Sequence, residues 1–150
     1  MVSELPEMAL KAIGIVHSEI KQPSMGDYKE VVADIVVDSR LTEALDDLDY
    51  FSHIIVLYWM HRANIRQVPT KVHPMGRQGL PLVGLFATRS PSRPNPIGKA
   101  TVRLLRRQGN VLKVKGIDAI DGTPVIDIKP YIPGYDSAVK SKTPSWITKQ

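Results

Sequence analysis

The chain has 150 residues, of which 43% are hydrophobic and 23% are charged, and its formal net charge is +5. This length and composition favour one globular domain over residues 1–150 and exclude a wholly disordered chain. The absence of cysteine excludes disulfides, cysteine-ligated zinc or iron–sulfur sites, and thiol nucleophiles. No apolar run reaches the roughly 18 residues that a membrane helix needs. We therefore expect a cytoplasmic protein with no membrane span.

Charge is distributed unevenly along the chain. Residues 1–60 carry 4 basic and 11 acidic side chains, whereas residues 61–150 carry 16 basic and 4 acidic ones. An asymmetry of this kind predicts an anionic partner, nucleic acid first, on the surface that the second part of the chain forms. The alternative is that the two parts attract each other within one fold.

Short apolar runs rich in β-branched residues predict strands along most of the chain. Seven such strands are predicted, at residues 12–17, 30–37, 53–59, 82–88, 100–107, 111–117 and 125–129. The run at 53–59 is almost continuously apolar, which is typical of a strand covered on both faces.

One short helix is predicted over residues 41–48, where leucines recur at helical spacing after Asp38 or Ser39 as the N-cap. With the strands, it predicts a mainly β fold. We expect a single small barrel-like sheet of about seven strands with one or two short helices. The core of the domain is expected at about residues 10–135, with a C-terminal tail at 137–150.

Residues 100–117 predict a β-hairpin that turns at Gly109 and Asn110. Alternation along the two strands places Arg103, Lys113 and Lys115 on the outer face, and either Arg106 or Arg107 lies there near the turn. A basic sheet face of this kind suits the phosphates of RNA. The same side chains are also ordinary solubilising charges at the edge of a sheet.

The segment at residues 86–98 reads Phe-Ala-Thr-Arg-Ser-Pro-Ser-Arg-Pro-Asn-Pro-Ile-Gly. Its three prolines restrict the backbone, so the loop is predicted to be stiff before any ligand binds. Arg89 and Arg93 are held on this loop, and guanidinium groups suit a carboxylate or a phosphate. The alternative is that the loop forms salt bridges with the acidic first part of the chain.

The segment at residues 118–131 reads Asp-Ala-Ile-Asp-Gly-Thr-Pro-Val-Ile-Asp-Ile-Lys-Pro-Tyr. A tight turn explains Asp121. It does not explain Asp127, Lys129 and Tyr131, which alternate on one strand face and offer an acid, a cation and a phenol for proton transfer or polar binding. Asp118 with Asp121 is a weak Mg²⁺ signal and the histidines lack ligand spacing, so no metal site is predicted.

Both segments resemble the signatures of the TsaA/TrmO-like family, and weaker similarity at residues 12–17 and 49–61 extends the match to about residues 10–135. The resemblance implies an S-adenosylmethionine-dependent tRNA methyltransferase built on a small β-barrel that forms a homodimer. Its implied reaction is methylation of the exocyclic nitrogen of threonylcarbamoyladenosine, next to the tRNA anticodon.

The cofactor positions follow from the same resemblance, whereas the outward cations of the hairpin follow from the alternation along its strands. The positions implied for the cofactor are Lys21, Gln22, His61, Arg62, Arg89, Lys99, Asp118, Ala119, Ile120 and Asp121. Those implied for catalysis are Asp127, Lys129 and Tyr131, with Asp127 or Tyr131 nearest the acceptor's proton. Those expected to bind tRNA are Arg93, Asn95, Arg103, Lys113 and Lys115.

Three other functions remain open from the sequence. The first is a non-catalytic RNA-binding barrel that uses the basic hairpin face. The second is an S-adenosylmethionine-dependent methyltransferase with a different acceptor. The third, ranked last because few carboxylates are present, is a Mg²⁺-dependent phosphoryl hydrolase around Asp118 and Asp121.

Overall fold

The computed structural model describes residues 4–23 and 26–147. Six antiparallel strands form a closed barrel, and a two-stranded ribbon lies outside it. The strands in chain order are β1 (Gly14–His17), β2 (Val32–Val37), β3 (His53–Trp59), β4 (Lys71–Val72), β5 (Val83–Gly84), β6 (Ile97–Gln108), β7 (Val111–Lys115) and β8 (Pro124–Pro130). Around the barrel their order is β1-β2-β7-β6-β3-β8, and β4 pairs with β5 in the ribbon. The predicted barrel fold is confirmed.

The barrel core is built from alternate side chains of each strand, as a half-buried sheet requires. Val102 and Leu104 of β6 and Leu112 and Val114 of β7 are buried, which confirms the alternation predicted for the hairpin. Much of the outer face of β3 is covered too, because the outward-facing Ile55 is only 6% exposed and Leu57 and Trp59 are half-buried, whereas His53 is exposed. The continuous apolar sequence of this strand follows from that position.

A β-bulge at Leu105 changes which arginine faces outward. Pairing between β6 and β7 shifts by one residue there, so that Arg106 lies opposite Lys113. Arg107 turns away and donates to Asp46, with 2.9 Å between Nη1 and Oδ1. The choice between Arg106 and Arg107 that the sequence left open is thus resolved in favour of Arg106.

The strand predicted at residues 82–88 is largely wrong. Only Val83–Gly84 is extended, in the ribbon, and Leu85–Ala87 forms a 3₁₀ helix. The segment belongs to an excursion from the barrel that closes where the Met60 amide donates to the Pro96 carbonyl at 2.7 Å. Leu85 is buried but Phe86 is 78% exposed, so this run has no barrel face to alternate against.

The prediction of an α-helix at residues 41–48 is also wrong, because this segment is 3₁₀-helical. Two 3₁₀ helices, Ser39–Leu45 and Leu48–Tyr50, replace it. Asp38 caps the first one as predicted. Asp47 adopts a left-handed backbone (φ 69°), which breaks the helical pattern. Leu45 is buried but Leu41 is 38% exposed, and so small an apolar stripe gives little reason for a longer α-helix.

The chain after β8 forms one helical turn, α1 (Pro133–Asp136). Residues 137–147 of the predicted tail contain no helix or strand, and residues 148–150 of that prediction lie outside the described residues.

We predict that Gly98→Ala destabilises the barrel by about 1–3 kcal/mol. Tyr58 lies opposite Gly98 in the sheet, and a Cβ atom at position 98 would overlap the Tyr58 ring. The same end of that ring is held in place, because Tyr58 Oη donates to the Asp118 carbonyl at 2.6 Å. The measurement is the free energy of unfolding in urea.

Gly79→Ala is the matched control, since no atom lies within 4 Å of a Cβ built at that position. Equal stabilities for the two variants would contradict the packing argument.

Candidate functional site

The loop after β1 and the turn before β8 form a charged cluster centred on Asp121. The amide of Ser18 donates to Asp121 Oδ1 at 2.9 Å, and Lys21 Nζ lies 2.9 Å from Oδ2. The Asp121 amide in turn donates to the Ile20 carbonyl at 2.7 Å. His17 Nδ1 lies 3.8 Å from Oδ1. Two segments 100 residues apart are thereby fixed to each other.

The two carboxyl groups of this region differ in their electrostatics. The hydrogen bond from Lys21, with that from the Ser18 amide, lowers the pKa of Asp121. Asp118 shows the opposite shift, because neighbouring protein atoms displace water and raise its pKa. Among the described residues, no hydrogen bond or ion pair involves the Asp118 carboxylate. Asp121 is thus engaged in holding the loops, while Asp118 is available to a ligand.

The loop after β3 brings a guanidinium group to the same end of the barrel. Arg62 Nη1 donates to the Lys21 carbonyl at 3.3 Å. His61 and Gln22 are exposed beside these two residues in the chain, whereas Ala119 and Ile120 are buried. The structure therefore brings together Lys21, Arg62 and residues 118–121 of the positions predicted for the cofactor.

Two other predicted cofactor residues lie outside this cluster. Arg89 is exposed on the proline-rich loop, and none of the described contacts joins it to Lys21 or Asp121. Lys99 is exposed on β6 opposite Leu57, which lies opposite Asp127 on the other side of β3. The strand register therefore places Lys99 on the outer face of the barrel, on the same line across the strands as Leu57 and Asp127.

The predicted catalytic residues lie along the outside of β8 and at its end. Lys129 Nζ lies 2.8 Å from Asp127 Oδ2, and the Ile128 amide donates to Asp127 Oδ1 at 2.9 Å. The contact with Asp127 raises the pKa of Lys129. Tyr131 packs edge-on against His53, with 6.3 Å between ring centroids. Asp127 therefore has a donor on each oxygen, and each oxygen keeps a second lone pair that can accept a proton.

Arg93 has a structural role within the proline-rich loop. Its Nη1 donates to the carbonyls of Thr88 at 2.8 Å and Ser90 at 3.0 Å. Its guanidinium carbon lies 5.8 Å from the centroid of the Phe86 ring, at cation–π distance. The loop is thus held by its own arginine, and in the described residues no salt bridge links it to the acidic first part of the chain. The Asn95 side chain remains exposed.

The basic hairpin face is formed as predicted. Arg103 lies opposite both His53 on β3 and Lys115 on β7. Lys115 is paired with Glu30 at 2.7 Å, and Arg107 with Asp46, so some of the charge asymmetry is neutralised between the two parts of the chain. Arg103, Arg106 and Lys113 make no ion pair with any described residue.

Residues 4–23 and 26–147 contain neither a metal-binding cluster nor a membrane-spanning helix. No group of three or more His, Asp or Glu side chains there is arranged to hold a metal ion. No helix in the same residues is long and apolar enough to cross a membrane.

Comparison with known proteins then identifies the family. The sequence matches the family model of the tRNA-methyltransferase O N-terminal domain over residues 16–137. The chain belongs to this family. This confirms the family resemblance, and the TrmO domain includes the Asp121 cluster, the proline-rich loop and the basic hairpin.

Relatives and solved structures agree with this assignment. A probable S-adenosyl-L-methionine-binding protein of Methanothermobacter thermautotrophicus is 42% identical over 135 residues, which are 87% of this chain and 95% of the relative. The tRNA (adenine(37)-N6)-methyltransferase of Mus musculus is 44% identical over 119 residues, which are 78% of this chain. The crystal structure of TrmO from Pseudomonas aeruginosa superimposes with a TM-score of 0.77 at 29% identity and covers 95% of this chain.

Several of these relatives are much longer than this chain. The match spans 27% of the mouse enzyme and 62% of the Pseudomonas TrmO chain. It spans 36% of a probable S-adenosyl-L-methionine-binding protein of Archaeoglobus fulgidus, which is 44% identical.

We predict that Asp121→Asn changes how stability depends on pH. Because the folded-state pKa of Asp121 is lowered, its stabilising effect is present above the unfolded-state pKa of about 3.9. The effect is lost as the pH falls through the lower, folded-state value. Thermal melting should therefore show the variant less stable than the wild type at neutral pH, with the gap closing in acid.

Asp49→Asn, which changes an exposed carboxylate in the second 3₁₀ helix, is the control. A gap between wild type and Asp121→Asn that stays constant with pH would contradict the role of the carboxylate charge.

Proposed function

We propose that this chain is an S-adenosylmethionine-dependent tRNA methyltransferase, which methylates the exocyclic nitrogen of threonylcarbamoyladenosine next to the anticodon. We further propose that it acts in the cytoplasm as a homodimer. The observation that carries the proposal is the convergence of Arg62, Lys21 and the Asp118–Asp121 turn within the region that belongs to the TrmO family. Relatives named as S-adenosylmethionine-binding proteins and as tRNA methyltransferases support it.

The charged groups of the cluster fit the chemistry of this cofactor. S-adenosylmethionine has a positively charged sulfonium and amino group, a carboxylate and an adenine ring. Asp118 offers an exposed carboxylate that no described residue neutralises. Arg62 offers a guanidinium whose described contact is a single carbonyl, which leaves donors for a carboxylate. Gln22 and His61 offer polar groups for the adenine.

When bound, S-adenosylmethionine supplies an activated methyl group, which the acceptor nitrogen takes as the carbon–sulfur bond breaks. The protein's tasks are to align the acceptor with that bond and to accept the nitrogen's proton. Asp127 or Tyr131 is proposed as the proton acceptor. The ion pair with Lys129 and the hydrogen bond from the Ile128 amide hold the Asp127 carboxylate in one orientation.

Cofactor binding provides the first test of this function. We expect calorimetry to detect S-adenosylmethionine binding without added metal, and Arg62→Ala or Asp118→Asn to weaken it by at least about tenfold. A charge contact worth about 1.4 kcal/mol produces a change of this size. Arg66→Ala and Asp49→Asn alter nearby or comparable exposed charges and should leave the affinity unchanged. Folded wild-type protein that binds neither the cofactor nor S-adenosylhomocysteine would disprove the proposal.

Mass spectrometry of tRNA nucleosides tests the reaction and the acceptor together. After incubation with the cofactor, we expect a methyl group on threonylcarbamoyladenosine and none on tRNA that lacks this modification. Replacing the proton acceptor, by Asp127→Asn or Tyr131→Phe, should slow transfer by about 10²–10⁴-fold. Tyr135→Phe is the control, because Tyr135 is 87% exposed on α1. Methylation of unmodified tRNA instead would assign a different acceptor.

The second candidate is a non-catalytic RNA-binding barrel. The outer cations Arg103, Arg106 and Lys113 favour it, because no described residue pairs with them and such a face can bind phosphates. It predicts salt-dependent RNA binding, no methyl transfer and no effect of Asp127→Ala.

A further inference from the structure

A groove of about 280 Å³ crosses the outer wall of the barrel over β2, β7 and β6. Its lining consists of Asp34, Arg106, Gln108, Val111 and Lys113. None of these residues belongs to the Asp121 cluster or to the predicted cofactor positions. The groove combines one carboxylate, two cations and an amide.

Asp34 is the unusual member of this group. Its Oδ1 is buried and has no hydrogen-bond partner among the described residues. Asp34 lies opposite Lys113 in the sheet, yet no ion pair within 4 Å joins them. A carboxylate oxygen that is shielded from water and lacks a donor is costly, so a protein that keeps one has a reason in a ligand or a trapped water.

The bulge at Leu105 completes the groove. Beyond it, Arg106 lies opposite Lys113 and Gln108 lies opposite Val111, and both pairs face outward. With regular pairing, the outward positions would instead belong to Leu105 and Arg107. The irregularity therefore replaces Leu105 and Arg107 by Arg106 and Gln108 on this face, which puts two polar side chains near Asp34 instead of one, with donors that no described residue uses.

We propose that this groove binds one unpaired nucleotide of the RNA substrate and selects a base with an exocyclic amino group. In this arrangement the amino group donates to Asp34, while Arg106 and Lys113 contact the adjoining phosphate. Gln108 is placed to bond a second atom of the base edge. A free phosphate would satisfy the two cations but leave Asp34 without a donor. The proposal rests on RNA being the substrate class, as proposed above.

Comparing the binding of cytidine and uridine tests this recognition directly. They share one ring, but cytosine presents an amino group where uracil presents a carbonyl oxygen that the Asp34 carboxylate repels. The experiment measures the affinities of short single-stranded oligocytidine and oligouridine of equal length by fluorescence anisotropy, at one low salt concentration. For the wild type we expect oligocytidine to bind at least about fivefold more tightly, as one good base contact implies.

The variants then test each group. Asp34→Asn should reduce the preference toward unity, because an amide offers both a donor and an acceptor. Asp49→Asn removes the same charge elsewhere and should keep the preference. Arg106→Ala should weaken both oligonucleotides and keep their ratio, as expected for a phosphate contact. Circular dichroism checks folding, and if Asp34→Asn fails to fold, Gln108→Ala is used and should also lower the ratio.

Equal affinity of the wild type for the two oligonucleotides, no measurable RNA binding, or a ratio unchanged in Asp34→Asn would overturn the proposal. The methyltransfer assay separates this failure from failure of the proposed function. Protein that methylates tRNA but binds both oligonucleotides equally contradicts the groove alone. Protein that shows the Asp34-dependent preference but transfers no methyl group contradicts the methyltransferase proposal alone.

Discussion

Closure of the barrel between β1 and β8 is the constraint on which the rest of the structure depends. The two strands pair over only two positions, Gly14 with Val125 and Ile15 with Pro124. Backbone hydrogen bonds beyond those positions prolong the contact, including the bond from the Gly122 amide to the Val16 carbonyl at 2.8 Å. The hydrogen bonds between Asp121 and residues 18–21 extend this contact further along the two segments. The contacts that close the sheet therefore also position the candidate cofactor site.

The rigid wall and the surrounding loops have different tasks. Tyr58 crosses the core from β3 and fixes the Asp118 turn by its hydroxyl, so the depth of the turn is set by a side chain inside the barrel. Burial strongly raises the pKa of this tyrosine, which stays protonated and can keep donating. On the outer face of the barrel, pairing between β6 and β7 places Arg103 opposite Lys115 and Arg106 opposite Lys113. The residues that hold the fold at the turn, Tyr58 and Asp121, thus also position the candidate cofactor site.

The predictable parts of the structure are those that local patterns determine. Alternation identified the inward Val102 and Leu112 and the outward Lys113, because a half-buried strand must repeat every two residues. The strand predicted at 82–88 is largely wrong, since composition cannot reveal that the chain leaves the barrel there. The contact of Lys21 with Asp121 depends on a closure across 100 residues, and no local pattern encodes it. The unusual state of Asp34 was missed for the same reason.

The bulge at Leu105 also affects how related sequences are compared. Arg106 and Arg107 are adjacent and chemically identical, yet one lies on the outer face of the barrel and the other binds Asp46, the C-cap of the first 3₁₀ helix. An alignment gap moved by a single position exchanges them while leaving the similarity score almost unchanged. Equivalence of surface charges among family members therefore has to be decided from strand pairing, and a one-residue deletion in this hairpin would alter the outer wall more than most substitutions.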